Sequence, residues 1–297
     1  MKRSFGERIF DVFLVVFMVL MCVIMIYPYL NQLAISLNDG TDTMLGGITI
    51  FPRKWTWSNY DTIFSNESLI RSTLVTVITV ICSTVFTLVV CVGAAYAIKK
   101  KDLPFRNAII WILLLPSYIN AGVIPTFILF RYLHLINNIL VYILPSAFTF
   151  YNVIIIRTFL NSLPVALEEA AYIEGANEMQ ILYKVILPLC KPVLATVALW
   201  TMVASWNDWT TTLYYVNEPS LFKLQYIIQQ IIKQSEVVQK MVNDSALTGG
   251  STTVRARPTS ESVKAAAIIF STLPIICTYP FLQKYFVKGV AIGAVKD

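Results

Sequence analysis

The chain has little charge, a single histidine and no paired-cysteine motif, and each shortage removes a class of function. Only 13% of its 297 residues are charged, against 57% hydrophobic and a mean hydropathy of +0.67, where soluble domains average about 25% charged. So much apolar surface cannot be covered by a soluble fold of this length. His134 stands alone in a short apolar loop, which argues against histidine-based metal catalysis. The five cysteines are an odd number: Cys22, Cys82, Cys91 and Cys277 lie inside apolar runs and Cys190 at the edge of one. They imply neither a disulfide framework nor a zinc site. A Gly-rich loop of the GxxxxGK[ST] type is missing, so nothing here is built to cradle ATP phosphates. The net charge of +6 does not point to nucleic acid, because the Lys and Arg residues flank apolar runs, where they anchor and orient helices.

What is abundant is long apolar sequence, in runs near the ~20 residues a helix needs to cross about 30 Å of hydrocarbon. Six such runs are expected as helices, roughly Val12 to Tyr29, Ser72 to Ile98, Arg106 to Phe130, Ile139 to Leu160, Pro192 to Val216 and Ala265 to Phe286. The first follows Lys2, Arg3 and Arg8, but its core is longer than a signal peptide's and has no A-x-A site, so a retained helix is expected. The reading is an all-α, polytopic protein, a single transmembrane domain over residues 1–297. Lys99, Lys100, Lys101, Arg106, Arg157, Lys184, Lys191, Lys284, Lys288 and Lys296 gather in short loops on one side together with the N-terminal basic residues. The positive-inside rule makes that side, and both termini, cytoplasmic.

The outer side then carries loops at residues 31–71 and 217–264. In the second, Leu224, Ile228, Ile231, Val238 and Val242 recur at helical steps and predict an amphipathic helix over Leu221 to Val242. Ser245 to Ser262, with Gly249-Gly250 and Pro258, reads as a flexible loop.

The cytoplasmic loop 161–190 carries the most informative stretch, Glu168-Glu169-Ala170-Ala171-Tyr172-Ile173-Glu174-Gly175, followed by Val185-Ile186-Leu187-Pro188. Acidic residues at its start suit a helix N-terminus, and Gly175 permits a positive-φ turn where that helix ends. A short helix, a sharp turn and a second helix are expected. The spacing resembles the signature of ABC importer permeases, E-A-A, three residues, G, nine residues, I-x-L-P. Val185 stands where that family usually has Ile. The tail Tyr279 to Lys296 resembles the carbohydrate branch, in particular its permeases for polysaccharides or complex oligosaccharides.

The resemblance implies an ABC importer permease fold in a bacterial plasma membrane, with Glu169, Ala170, Ala171, Gly175, Val185, Leu187 and Pro188 forming the surface that couples to an ATPase. It also implies partners: a second permease subunit, two ATPase subunits holding the ATP and magnesium, an extracellular solute-binding protein, and a carbohydrate as the solute. A flexible outer segment at Ser245 to Ser262 would touch the binding protein.

One acidic residue lies well inside an apolar run, Asp208 in Ser205-Trp206-Asn207-Asp208-Trp209. A carboxylate costs at least about 2.5–3.5 kcal/mol at the centre of a spanning helix, so it is expected to face protein or water and to mark a pathway. Helical counting puts Thr201, Ser205, Asp208 and Thr212 on one face, with Trp206, Asn207 and Trp209 beside it, a combination suited to sugar hydroxyls and C–H faces. Two other readings stand: Trp206 and Trp209 as interfacial belt residues, and Asp208 as an assembly contact. Thr76, Thr79, Ser83 and Thr87 form a second polar stripe, expected to serve helix packing. The rival functions are an ABC permease for another solute and an ion-coupled secondary carrier with Asp208 as its ion site.

Overall fold

The computed structural model describes residues 5–119, 121–247 and 259–294, and no β-strand occurs among them. In chain order the helices are α1 (Phe5–Ser36), α2 (Gly40–Thr43), α3 (Ser58–Phe64), α4 (Glu67–Lys99), α5 (Arg106–Leu114), α6 (Val123–Tyr132), α7 (Phe150–Ser162), α8 (Ala166–Ile173), α9 (Glu178–Gln180), α10 (Leu187–Leu189), α11 (Lys191–Asn207), α12 (Thr210–Tyr215), α13 (Leu224–Leu247) and α14 (Ser260–Ala294). A 3₁₀ turn (Ile139–Tyr142) precedes α7, and a π-helical stretch (Ile181–Ile186) joins α9 to α10. The residues divide into two compact units, one of 1–70 with 228–274, the other of 71–227 with 275–297.

Among the described residues, three helices are long and apolar enough to cross a membrane, and three further bent pairs bring the number to six if each pair counts as one span. The first, second and sixth expected spans are thus continuous helices, in α1, α4 and α14. The middle three are not. The third is divided between α5, extended by the 3₁₀ turn Leu115–Tyr118, and α6, which are bent by 119° to one another. The fourth is reduced to α7, whose 13 residues reach only about 20 Å. Residues 143–149, expected to be helical, are irregular instead. Their carbonyls are served by α4: Thr87 Oγ1 donates to the Ser146 carbonyl at 2.9 Å and Cys91 Sγ to the Ala147 carbonyl at 3.8 Å. Irregular backbone is tolerated at such depth only where neighbouring protein satisfies it. The fifth span breaks at Asp208, whose ψ of 106° ends α11.

The unit of 71–227 has one principal core. Cys91, Val92, Ala95 and Ile98 of α4 pack with Phe150, Val153, Ile156 and Leu160 of α7, and with Ile181, Ile186, Val193 and Val197 that follow the α8 turn. The polar stripe on α4 is buried throughout, and Thr76, Thr79, Ser83 and Thr87 all bond within the protein. Packing is their observed role.

In the other unit the expected outer loop is ordered by buried polar groups. Asn38 Nδ2 donates to Asp42 Oδ2 at 3.0 Å, its Oδ1 accepts from the Lys54 N–H at 2.8 Å, and Asn59 Nδ2 donates to the carbonyls of Ser36 and Asn38. Arg53 Nε donates to Asp42 Oδ2 at 2.9 Å. The loop is fastened to the start of α14 at Gly40, where a Cβ would lie 2.5 Å from the Thr259 nitrogen. The amphipathic helix expected over Leu221 to Val242 is α13, beginning three residues later. Residues 245–247 and 260–262 are helical rather than loop, and 248–258 lie outside the described residues. So do the side chains of most of the Tyr279 to Lys296 tail, whose backbone continues α14 to Ala294.

Candidate functional site

The loop 161–190 folds as a short helix, a turn and a second helix. Helix α8 runs Ala166–Ile173, and Gly175 at φ 83° makes the turn. Asn177 then caps the next helix: its side chain accepts the Gln180 N–H at 2.9 Å while Gln180 Oε1 accepts the Asn177 N–H at 2.9 Å. Of the residues matched to the signature, Glu169, Ala170, Gly175 and Pro188 are exposed, Val185 and Leu187 are half-buried, and Ala171 is buried in the core. The two alanines therefore divide, one facing out and one facing α7 and α4.

The neighbouring Glu168, which the sequence offered only as a helix-terminal acid, is buried and paired. Lys99 donates to Glu168 Oε1, and Lys100 Nζ lies 3.3 Å from Glu168 Oε2, 3.0 Å from Glu178 Oε2 and 3.0 Å from the Tyr172 hydroxyl. The same ammonium sits 4.8 Å above the Tyr96 ring, and the Tyr96 hydroxyl donates to Glu178 at 2.7 Å. Burial would lower the Lys100 pKa, but hydrogen bonds to Tyr172 and Glu178 outweigh it and hold the ammonium above the usual lysine range. The lysine run that marks the end of a span thus grips the short helix at its buried side, leaving Glu169 free to face outward.

A cavity of about 630 Å³ opens in the same unit, lined by Tyr142, Tyr151, Trp200, Thr201, Ser205 and Asp208 among others. Its volume is within the range of about 300–1,000 Å³ usual for ligand sites. The Tyr151 and Trp200 rings stack at 5.9 Å and 29°, and both are exposed. Ser146, Thr149 and Thr201 share the lining with that plate.

The expected stripe is only partly brought together. Thr201, Ser205 and Asp208 line the cavity, whereas Thr212 does not, because α11 stops before Asp208 and the helical count restarts in α12. Thr212 is buried and bonds the Tyr142 hydroxyl at 2.9 Å. Trp206 is buried, Trp209 half-buried, and Asn207 donates back to the Val203 carbonyl at 2.9 Å. The aromatic plate is made by Tyr151 and Trp200 instead, two rings 49 positions apart that no local pattern links.

Asp208 also differs from a bare pathway carboxylate. Its Oδ1 accepts from the Thr211 N–H at 3.1 Å and the Thr210 hydroxyl at 3.2 Å, which caps α12. Its Oδ2 lies 3.6 Å from Nζ of Lys223, a lysine with 1% side-chain exposure. Sequence reading missed Lys223, which stands in a segment expected to be an outer loop, with nothing to mark it as buried.

Residues 67–292 match the family described as binding-protein-dependent transport system inner membrane component. Protein LplC of Bacillus subtilis is 34% identical over 296 residues, covering 100% of this chain and 98% of that protein. The polygalacturonan/rhamnogalacturonan transport system permease protein YtcP of the same organism is 29% identical over 290 residues, with 98% and 99% covered. The structure is similar to a crystal structure of a bacterial ABC transporter involved in the import of the acidic polysaccharide alginate, with a TM-score of 0.85, 29% identity, and 96% of this chain and 99% of that chain covered. The chain belongs to the family of binding-protein-dependent transport system inner membrane components, the membrane-embedded subunits of ABC importers.

Proposed function

We propose that this chain is the permease subunit of an ATP-driven importer for oligosaccharides or polysaccharide fragments, in which residues 161–190 dock on an ATPase and the cavity beside α7 and α11 forms part of the solute path. The observation that carries the solute class is the Tyr151–Trp200 plate on the lining of a cavity of about 630 Å³ that also holds Ser146, Thr149 and Thr201. Pyranose rings offer apolar C–H faces and a rim of hydroxyls, so they match both surfaces. The relatives' names, polygalacturonan and rhamnogalacturonan in one case and alginate in another, support a saccharide as the solute.

The chain is a transport subunit without catalysis of its own, and the energy enters through partners. A second permease completes the path, two ATPase subunits bind and hydrolyse ATP with magnesium, and an extracellular binding protein delivers the solute. Both termini lie in the cytoplasm of a bacterial cell, in keeping with the basic residues clustered on that side. Exposed Glu169, with Ala170 and Gly175 beside it, is offered to the ATPase. The Lys99, Lys100 and Glu168 cluster carries movement of α8 into α4. Membership of a binding-protein-dependent family sets aside the ion-coupled carrier.

Two substitutions test the reading on the assembled importer in proteoliposomes. Trp200→Ala removes half of the aromatic plate and should lower oligosaccharide uptake about tenfold, a loss in line with the ~0.5–1.5 kcal/mol of an aromatic contact plus its buried area. Glu169→Lys should abolish binding-protein-stimulated ATP hydrolysis while the chain still inserts. Wild-type uptake in Trp200→Ala would remove the cavity from the path, and unchanged stimulation in Glu169→Lys would remove the coupling assignment.

A further inference from the structure

Lys223 has the surroundings of a structural device rather than of a loop lysine. It is among the largest fully buried side chains in the protein. Helix α11 ends at Asn207, so the carbonyls of its last turn have no helical partners. Lys223 Nζ donates to one of them, the Ser205 carbonyl, at 2.7 Å, with Ser205 Oγ at 3.4 Å and Asp208 Oδ2 at 3.6 Å. It lies 4.9 Å over the Tyr142 ring, and the Tyr142 hydroxyl bonds Thr212 at 2.9 Å and the Leu221 carbonyl at 3.0 Å. On the far side, Ser83 of α4 donates to Ser205 Oγ at 3.2 Å, and the Leu224 N–H donates to Thr76 Oγ1 at 2.8 Å. One ammonium therefore meets the end of α11, the cap of α12 and the 3₁₀ turn, and the bonds around it reach α4.

We infer that Lys223 is a positioning residue for the solute cavity: it closes the break between α11 and α12 and holds Asp208 on the cavity wall with its charge cancelled. Asp208 is the one ionisable carboxylate on the lining of this cavity. Cancelled by Lys223, it leaves a wall that receives a saccharide through hydroxyls and ring faces, and that does not repel a sugar acid. Without Lys223, the carboxylate would keep its bonds from Thr210 and Thr211 but lose its counter-charge while only 22% exposed, which is costly. The inference rests on the cavity being part of the solute path, and the test keeps the two apart.

The test uses the assembled importer with its binding protein, in Lys223→Met, Asp208→Asn and Lys223→Met/Asp208→Asn forms. Thermal unfolding of the purified complex and uptake of radiolabelled oligogalacturonide are both measured. Lys223→Met should lower the melting temperature by roughly 5 °C or more and cut uptake about tenfold or more, as expected for a partly buried carboxylate stripped of its counter-charge. The double variant, in which neither charge remains, should recover most of both losses. A lysine that merely fills space would give a double variant no better than Lys223→Met, and that result, or a Lys223→Met complex like wild type, overturns the inference. Should the wild-type complex fail to take up the probe, the choice of solute falls, and the unfolding series still decides on Lys223.

Discussion

Glu168 and Glu169 are adjacent and chemically identical, yet their surroundings give them opposite tasks. On α8 they are 100° apart, so one carboxylate turns into the protein toward Lys99 and Lys100 while the other faces out. Glu168→Gln keeps the shape and removes the charge, leaving Lys100 with Glu178 and taking from Lys99 the carboxylate it pairs with. We expect a loss of about 1–3 kcal/mol, screened by solvent around the half-exposed lysines. Stimulated ATP hydrolysis should weaken while basal hydrolysis remains. Urea unfolding of the purified complex and its ATPase rates check both, and an unaffected ratio of stimulated to basal rate would show that the cluster transmits nothing.

Asp42 illustrates the same chemistry in the segment between α1 and α4. Hydrogen bonds from Asn38 and Arg53 favour its ionised form and hold its carboxyl below the usual carboxylate range, against a smaller effect of burial. The sign follows from linkage: a carboxyl whose folded pKa is depressed adds stability that is complete above its unfolded value, near 3.9, and that disappears as pH falls through the folded value. Acidification below about pH 4 should therefore loosen the loop, with Trp55 and Trp57 fluorescence reporting it. In Asp42→Asn the transition in that pH range should vanish, and its persistence would assign it to another group.

At the scale of elements, the irregular stretch before α7 depends on α4. Thr87, itself buried, supplies the hydroxyl that serves the Ser146 carbonyl. Thr87→Val is nearly isosteric and deletes only that donor, so the expected cost is about 1 kcal/mol, that of losing a hydrogen bond to a half-buried acceptor. Amide hydrogen exchange across residues 143–149 should speed up more than across α7 itself. Equal acceleration of both would mean that the stretch is held by packing rather than by this bond. The break at Asp208 belongs to the same class of feature, since side chains there replace the backbone bonds that a continuous helix would have made.

At the scale of the whole molecule, a six-run polytopic helical protein was legible from composition, because apolar runs near 20 residues have few other uses. The signature loop was legible as well, helix, positive-φ Gly175 and second helix in order, since its capping and turn chemistry is local. The Thr and Ser stripe of α4 was also read correctly as packing. Tertiary structure alone decided the interruptions of the middle spans, which depend on donors such as Thr87 and Lys223 that lie 59 and 18 positions from the carbonyls they serve. It alone paired Tyr151 with Trp200, placed Thr212 away from the cavity and buried Lys223. Hydropathy and helical period are properties of a segment and can be read along it. Satisfaction of a broken helix's backbone, and the pairing of a buried charge, are properties of whatever group arrives from elsewhere in the chain, and only the fold determines which group that is.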